Sequence, residues 1–393
     1  MKISIFTDDA PVAENVLASG MNRVNTRLFT CLLKNIGTIS VTKNHGSVKY
    51  HELSNKVIKN TKIYGFYNPV EKLINKCENF LYFKFGINLD ISFFFFKRQI
   101  TKNIISSGAK VLFSPLGADI RSYRRALEVA ETAGIPLWVY IVDDFESSAS
   151  LLNKKVKSIK LHEIVHDYIR RTDKVFSISS GMVNLIEEKY NKKSIMLPLP
   201  YTAKYDVKKE WKEQILFLGN LSHFYLDGLK LLLQTVKSIN EETGTEIKVR
   251  LTTKTLPPDF LEYEKEIEFG RIDGEEKLAN EISLSLLCFI PYSFDERYKE
   301  MVETSFPSKL IECMAYAKNV FVFAPRGASA SIYFNENGLS RDLLTENDPE
   351  KLYEMIVDKT QSRKDLSLDY RKLISQLHSY DKVSGVFKNE MAN

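Results

Sequence analysis

The stretch Met301–Pro325, MVETSFPSKLIECMAYAKNVFVFAP, decides how the rest of the chain is read. It holds a loop with Pro307, a helix expected from about Ser308 to Tyr316, and a β-branched and aromatic run from Asn319 to Ala324. Leu310, Ile311, Met314 and Ala315 recur at helical spacing, so one side of that helix is core. Pro307 is expected in the first turn, where its missing N–H is not needed. The helix start therefore points backbone N–H groups and a partial positive charge outward, which suits a phosphate. Lys309 stands in that turn. Glu312 falls near the opposite edge of the apolar stripe, where a carboxylate can accept hydrogen bonds from paired hydroxyls such as those of a ribose. An ordinary amphipathic helix with a solvated Glu and Lys fits the same spacing equally.

Phe306-Pro307-Ser308-Lys309-Leu310-Ile311-Glu312-Cys313-Met314-Ala315, followed by Ala317 and Val320-Phe321-Val322, resembles the nucleotide-sugar segment of retaining GT-B glycosyltransferases of the family-4 type. That segment usually reads P-x-K-L-x-E-Y-M-A-x-G-x-P-V or E-x-F-G-x-x-x-x-E-A-M-A-x-G. The resemblance is specific over these residues and diffuse elsewhere. It implies an α/β GT-B fold: two Rossmann-like doubly wound domains facing a cleft, with a C-terminal helix crossing back to the first. It also implies transfer of a sugar, with retained configuration, from a nucleotide-sugar donor (a UDP-sugar foremost, with no separate cofactor) to a glycan or lipid-linked glycan. The setting implied is bacterial surface polysaccharide synthesis: capsule, O-antigen or lipopolysaccharide.

Residue by residue, the resemblance gives Glu312 the ribose hydroxyls and Lys309, with the helix start, the departing phosphate. The family's partner Glu, eight positions earlier, falls on Thr304; Glu303 is next door and recovers the role if the loop bulges. Backbone groups of Ser305 and Phe306, with Ser308 and Leu310, complete the donor segment; Pro307 has no N–H to give. One departure is material. The family usually carries G-R-L and then K-G after the first strand of the second domain, where Arg and Lys clamp a diphosphate. Here Gly219-Asn220-Leu221 and Asp227-Gly228 stand instead. Arg250, Lys254, Arg271 or Lys309 could substitute. A donor with one phosphate, such as a CMP-sugar, would need less cationic compensation. A catalytically silent binding protein of the same fold is the third reading. No D-x-D motif is found at a strand end, so a metal is not required.

A chain of 393 residues suits two domains, with 44% apolar and 27% charged residues in ordinary globular proportion. The expected boundaries are 1–203 for an acceptor domain, 204–375 for a nucleotide-sugar domain, and 376–393 for a tail packing on the first. A net charge of +5 is too small for a nucleic-acid footprint. Cys31, Cys77, Cys288 and Cys313 are scattered, with no C-x-x-C pair, which points to reduced thiols in the cytoplasm rather than a disulfide or zinc framework. MKISIFTDD enters a strand directly, with no leader-like apolar region, and no apolar run reaches the roughly 18 residues of a membrane span.

In chain order, Lys2–Thr7 reads as a buried strand and Asn22–Lys34 as a helix, the opening of a doubly wound domain without G-x-G-x-x-G. By resemblance, Asn22 and Arg23 lie on the acceptor side. Phe80–Phe85 and Phe93–Phe96 are aromatic clusters beside Lys and Arg, which suits contact with the inner face of an anionic membrane; core or dimer packing competes with that reading. Gly108–Ser114 is a strand turned by Pro115, Ser122–Gly134 a helix stopped by its glycine, and Ile135–Val142 a buried strand ending on Asp143-Asp144. Parallel sheets meet ligands at the carboxyl ends of their strands. Asp143 and Asp144 are therefore candidate catalytic residues with Glu303 and Lys309. One of the two acids is expected to cap the next segment and the other to face the ligand. His162 and His166 lie four apart on one helix without a third ligand and read as structural or solvent-facing.

Overall fold

Buried apolar strands alternating with amphipathic helices build the same plan twice. The computed structural model describes residues 1–7, 20–32, 36–41, 62–65, 90–117, 119–147, 158–219 and 221–392. The chain divides into two units, Met1–Leu199 with Val383–Asn393, and Pro200–Lys382.

The first unit runs β1 (Ile3–Thr7), α1 (Gly20–Leu32), β2 (Ile36–Val41), β3 (Lys62–Gly65), α2 (Ile91–Ser106), β4 (Val111–Leu116), α3 (Ile120–Ala133), β5 (Leu137–Ile141), α4 (Ser158–Arg171), β6 (Lys174–Ser177), α5 (Ser180–Tyr190) and β7 (Ser194–Met196). Its strands are parallel in the order β3-β2-β1-β4-β5-β6-β7, so the direction of strand addition reverses between β1 and β4. β1, β4 and β5 are buried along their whole length, as strands covered on both faces must be. Gly134 closes α3 at φ 66°, a left-handed position that glycine takes without strain. Ser179 caps α5 by accepting from Met182 N–H at 3.1 Å.

Two local expectations change. Pro115 continues β4, opposite Tyr140, instead of turning it. Within the phenylalanine run, Phe93 is buried edge-on to Phe6, Phe96 packs on the core, and Phe94 is 77% exposed. Those three do not form one exposed patch, because Asp90 caps α2 in a phase that turns Phe93 inward. The other run, 80–85, lies outside the described residues, as does Cys77. Among the described residues no helix is long and apolar enough to cross a membrane.

The second unit runs β8 (Lys212–Phe217), α6 (His223–Thr243), β9 (Lys248–Leu251), β10 (Ile267–Phe269), α7 (Glu275–Leu284), β11 (Ser285–Pro291), α8 (Lys299–Thr304), α9 (Ser308–Tyr316), β12 (Val320–Phe323), α10 (Ser329–Glu336), β13 (Leu343–Leu344), α11 (Pro349–Ser362) and α12 (Ser367–His378). Its order is β10-β9-β8-β11-β12-β13, all parallel, with the reversal between β8 and β11. α6 approaches β11 so closely that a Cβ on Gly228 would come within 2.7 Å of Pro291, which accounts for the glycine beside Asp227. Below the sheet, buried Lys359 and Asp342 pair at 2.5 Å, and Tyr370 donates its hydroxyl to the same carboxylate at 2.9 Å.

The segment after Pro200 is not a loose linker. Lys204 N–H donates to the Tyr316 hydroxyl at 3.0 Å, Arg371 donates to Tyr205 and Ala315 carbonyls, and Lys318 donates to the Glu210 carbonyl while lying 4.1 Å above the Trp211 ring. Beyond α12, a last helix α13 (Tyr380–Ala392) carries the chain from the second unit into the first. There Phe387 packs against Phe113, Trp138 and Phe176, and Glu390 pairs with Lys174 at 2.8 Å.

Candidate functional site

The site is built at the carboxyl edge of the second sheet, where β8, β11 and β12 lie side by side at the reversal point. Loops diverge there and leave room for a ligand. Two residues past the end of β8 comes Gly219, whose φ of 153° lies at the edge of what side chains tolerate. Its N–H donates to the Thr252 hydroxyl, beyond β9, at 3.1 Å. A Cβ on Gly219 would come within 3.2 Å of Lys309 Nζ. The lysine from the first turn of α9 thus holds its ammonium directly over the glycine.

α9 begins where the sequence pattern puts it. Pro307 takes the N-cap position, one step before the first turn, and offers no side-chain cap. Leu310 N–H turns back to the Pro307 carbonyl at 2.8 Å. Leu310, Ile311, Cys313, Met314 and Ala315 are wholly buried, so the helix is fixed by its apolar side. Glu312 differs from the expectation of an edge residue: it is only 4% exposed, sunk among those neighbours. Burying a carboxylate is costly unless it serves hydrogen bonds or charge, so this position is under stronger demand than a solvated surface acid. Cys313 behind it lies against Cys288 on β11. Burial foremost, then the hydrogen bond with Cys288 and the nearby charge of Glu312, pushes its thiol well above the usual range, so these cysteines are packing groups.

The short helix α8 supplies the remaining donor-segment residues. Thr304 is buried and its hydroxyl donates to the Glu300 carbonyl at 2.8 Å, back along its own helix. The Ser305 N–H donates to Met301 at 2.8 Å and its carbonyl accepts from Tyr292 at 3.3 Å. Those two positions therefore spend on the fold the polar groups expected to meet a ligand. Phe306 stacks edge-on to Tyr333 at 5.3 Å and Ser308 is half-buried at the helix start. Glu303 is half-buried, and its carboxylate lies against Gly327 in the loop after β12.

The other cations expected to replace an Arg–Lys clamp are differently engaged. Arg250 pairs with Glu281 at 3.4 Å and donates to the Leu251 carbonyl. Arg271 pairs with Asp273 at 2.8 Å, and Lys254 is exposed on the turn after β9. Asn220 lies outside the described residues. Lys309 alone among these four is brought against the end of β8 by a contact of its own. Thr252, which accepts from the Gly219 N–H, was not singled out in the sequence; a hydroxyl residue directly after a parallel strand is the signal that could have flagged it.

At the carboxyl edge of the first sheet, the acidic pair separates by role. Asp144 accepts from Ser147 N–H at 2.7 Å and from its hydroxyl at 2.5 Å, capping the turn of helix that follows β5. Asp143 is half-buried beside it, and burial, then the Asp144 charge, lifts its carboxyl to about 6. Glu146 in the same turn accepts from Tyr190 at 2.5 Å and His162 at 3.1 Å. Burial alone would raise its pKa; those bonds and Lys189 outweigh it and hold the carboxyl below its ordinary value. His162 is thus structural, and among the described residues no three His, Cys, Asp or Glu side chains gather as a metal site. Asn22 is buried at the start of α1 and Arg23 is half-buried beside it.

No protein-family model matches the chain, and no curated protein matches it. Solved structures share its fold over the full length. The lipopolysaccharide outer core galactosyltransferase WaaB, in its apo form, superposes with a TM-score of 0.60 at 11% identity, covering 100% of this chain and 99% of that one. HepE of Anabaena, in complex with UDP-glucose, gives 0.66 at 10% identity with both chains fully covered. TarM gives 0.65 at 9% identity, over 99% of this chain and 98% of its own. These neighbours are GT-B glycosyltransferases, and the fold of this chain is theirs.

Proposed function

We propose that the protein is a glycosyltransferase that takes a sugar from a nucleotide-sugar, a UDP-sugar in the first instance, and passes it to a glycan or lipid-linked glycan with retention of configuration. The observation that carries this reading is Lys309 Nζ standing over Gly219 at the strand-order reversal, beside the start of α9. A diphosphate seated there meets a lysine and a helix N-terminus together. Both stabilise the negative charge that grows on the phosphate as the glycosidic bond breaks, and a preorganised pair needs little rearrangement at that moment. Glu312 is assigned the ribose hydroxyls, Glu303 the donor sugar, and Phe306, Ser308 and Leu310 the frame of that segment. On this reading the departing phosphate oxygen takes the acceptor proton on the same face, so the paired carboxylates of glycoside hydrolases are not needed.

HepE with UDP-glucose bound supports the choice of donor class, and WaaB supports a surface-glycan acceptor by likeness of fold alone. Asp143, Asn22 and Arg23, on the first unit, are assigned to the acceptor side. Phe94, Arg98 and Lys102 on the exposed side of α2 are assigned peripheral contact with the inner face of the cell membrane. The reading assigns charge neutralisation to Lys309 and the helix start, so a chelator is expected to leave turnover unchanged.

Calorimetry against UDP, GDP, ADP and CMP tests the reading. Binding of a nucleoside diphosphate, lost in Lys309→Ala, supports it. Preference for CMP would move the donor to a monophosphate class, which the single engaged lysine also favours. Failure to bind any of the four would leave a protein of this fold without the activity.

A further inference from the structure

The reading above leaves unexplained how Glu303, one residue out of register with the family pattern, is held in place. Its helix, α8, has six residues, too few to be stable without tertiary support. Two contacts to Glu303 supply support, one from the loop that follows β12 and one from the start of α10. Ser329, the first residue of α10, donates its hydroxyl to the Glu303 carbonyl. The Glu303 side chain lies flat on Gly327: a Cβ built there would be 2.9 Å from Oε1, 3.4 Å from Cγ and 3.5 Å from Cδ.

The glycine is not explained by its backbone. Gly327 is absent from the positive-φ positions of the described residues, so its conformation is open to any residue. Nor is it packed in the interior, since it is exposed. What a larger residue would disturb is the Glu303 carboxylate. That group is the tip of a flexible side chain, which can swing away without moving backbone or core.

We propose that Gly327 is a positioning residue for donor-sugar selection: the absence of a side chain lets the Glu303 carboxylate rest on the loop, aimed at the sugar hydroxyls. This rests on the reading of the second unit as a nucleotide-sugar site. Adding one methyl group should redirect the carboxylate and relax the choice of sugar while leaving the fold and the nucleotide contacts intact. A carboxylate accepting from a sugar hydroxyl discriminates between epimers because the wrong epimer leaves it without its donor.

The test is calorimetry of UDP, UDP-glucose, UDP-galactose and UDP-N-acetylglucosamine with wild type, Gly327→Ala, Glu303→Ala and the double variant. The expected result has four parts. Wild type separates the best from the worst sugar by about tenfold or more. Gly327→Ala compresses that ratio several-fold with UDP affinity and melting temperature unchanged. Glu303→Ala does the same. The double variant loses no more than Glu303→Ala alone, because the two act through one carboxylate. Wild-type ratios in Gly327→Ala, or a further loss when it is added to Glu303→Ala, would overturn the proposal. So would a wild type that binds UDP but does not distinguish the sugars. A wild type that binds none of the four removes the nucleotide-sugar reading itself, and the proposal with it.

Discussion

The carboxyl edges of the two sheets follow one plan and carry opposite chemistry. In the second unit, β8 opens onto a glycine under a lysine, and a helix N-terminus lies beside it. In the first, β5 opens onto Asp143 and Asp144, followed by Glu146 held by Tyr190, His162 and Lys189. Parallel sheets offer the same geometric opportunity at each edge; the residues placed there decide what it is used for. A cationic, amide-lined edge suits a phosphorylated donor. An acidic edge repels phosphate and suits hydroxyls. The difference teaches that the charge of each edge is set by a handful of residues after the strands, not by the strands.

Four substitutions can break or sharpen that contrast. Lys309→Ala should have the largest effect, lowering kcat/KM for the donor by about 100-fold or more, roughly 3 kcal/mol of transition-state stabilisation, as expected for losing one preorganised charge partner. Steady-state kinetics of UDP release checks it; a loss under threefold would return the lysine to the solvated-surface reading. Glu312→Gln should lower kcat/KM at least tenfold, about 1.4 kcal/mol, with a cooperative melt retained. Unchanged kinetics would make Glu312 a packing residue of α9.

On the acidic edge the expected effects are smaller and fall on stability. Asp144→Ala removes a helix cap and should cost about 1 kcal/mol by urea unfolding, with no cost expected if the Ser147 bonds are incidental. Asp143→Asn should do the reverse. Its carboxyl is lifted to about 6, so ionising it disfavours the folded state; that disadvantage is absent below about pH 4 and complete above about pH 6. The variant should therefore melt about 2–4 °C higher at pH 7.5, corresponding to about 1 kcal/mol for a partly solvated group, and no higher at pH 4. A shift of the same size at both pH values would show that charge is not the cause.

The fold was legible because it rests on local signals: buried runs such as Ile135–Val142 and the helix stop at Gly134. Boundaries moved where tertiary context overrode them, as when Pro115 stayed inside β4. The site was legible only in part. The residues proposed on α9 could be named because one short segment carries them all. The Thr304 hydroxyl and the Ser305 backbone also bond within α8 and to Tyr292, which no spacing reveals. Arg250 and Arg271 were candidates by charge, but charge alone does not show that Glu281 and Asp273 already hold them. Asp143 and Asp144 were indistinguishable until the Ser147 bonds identified the cap.

Amide hydrogen exchange with and without UDP, read peptide by peptide, tests most directly which edge holds the nucleotide. The account predicts slowed exchange in the peptides spanning Gly219 and Ser308–Leu310, and none around Asp143–Ser147. Protection confined to the β5 edge, with the start of α9 unchanged, would contradict it.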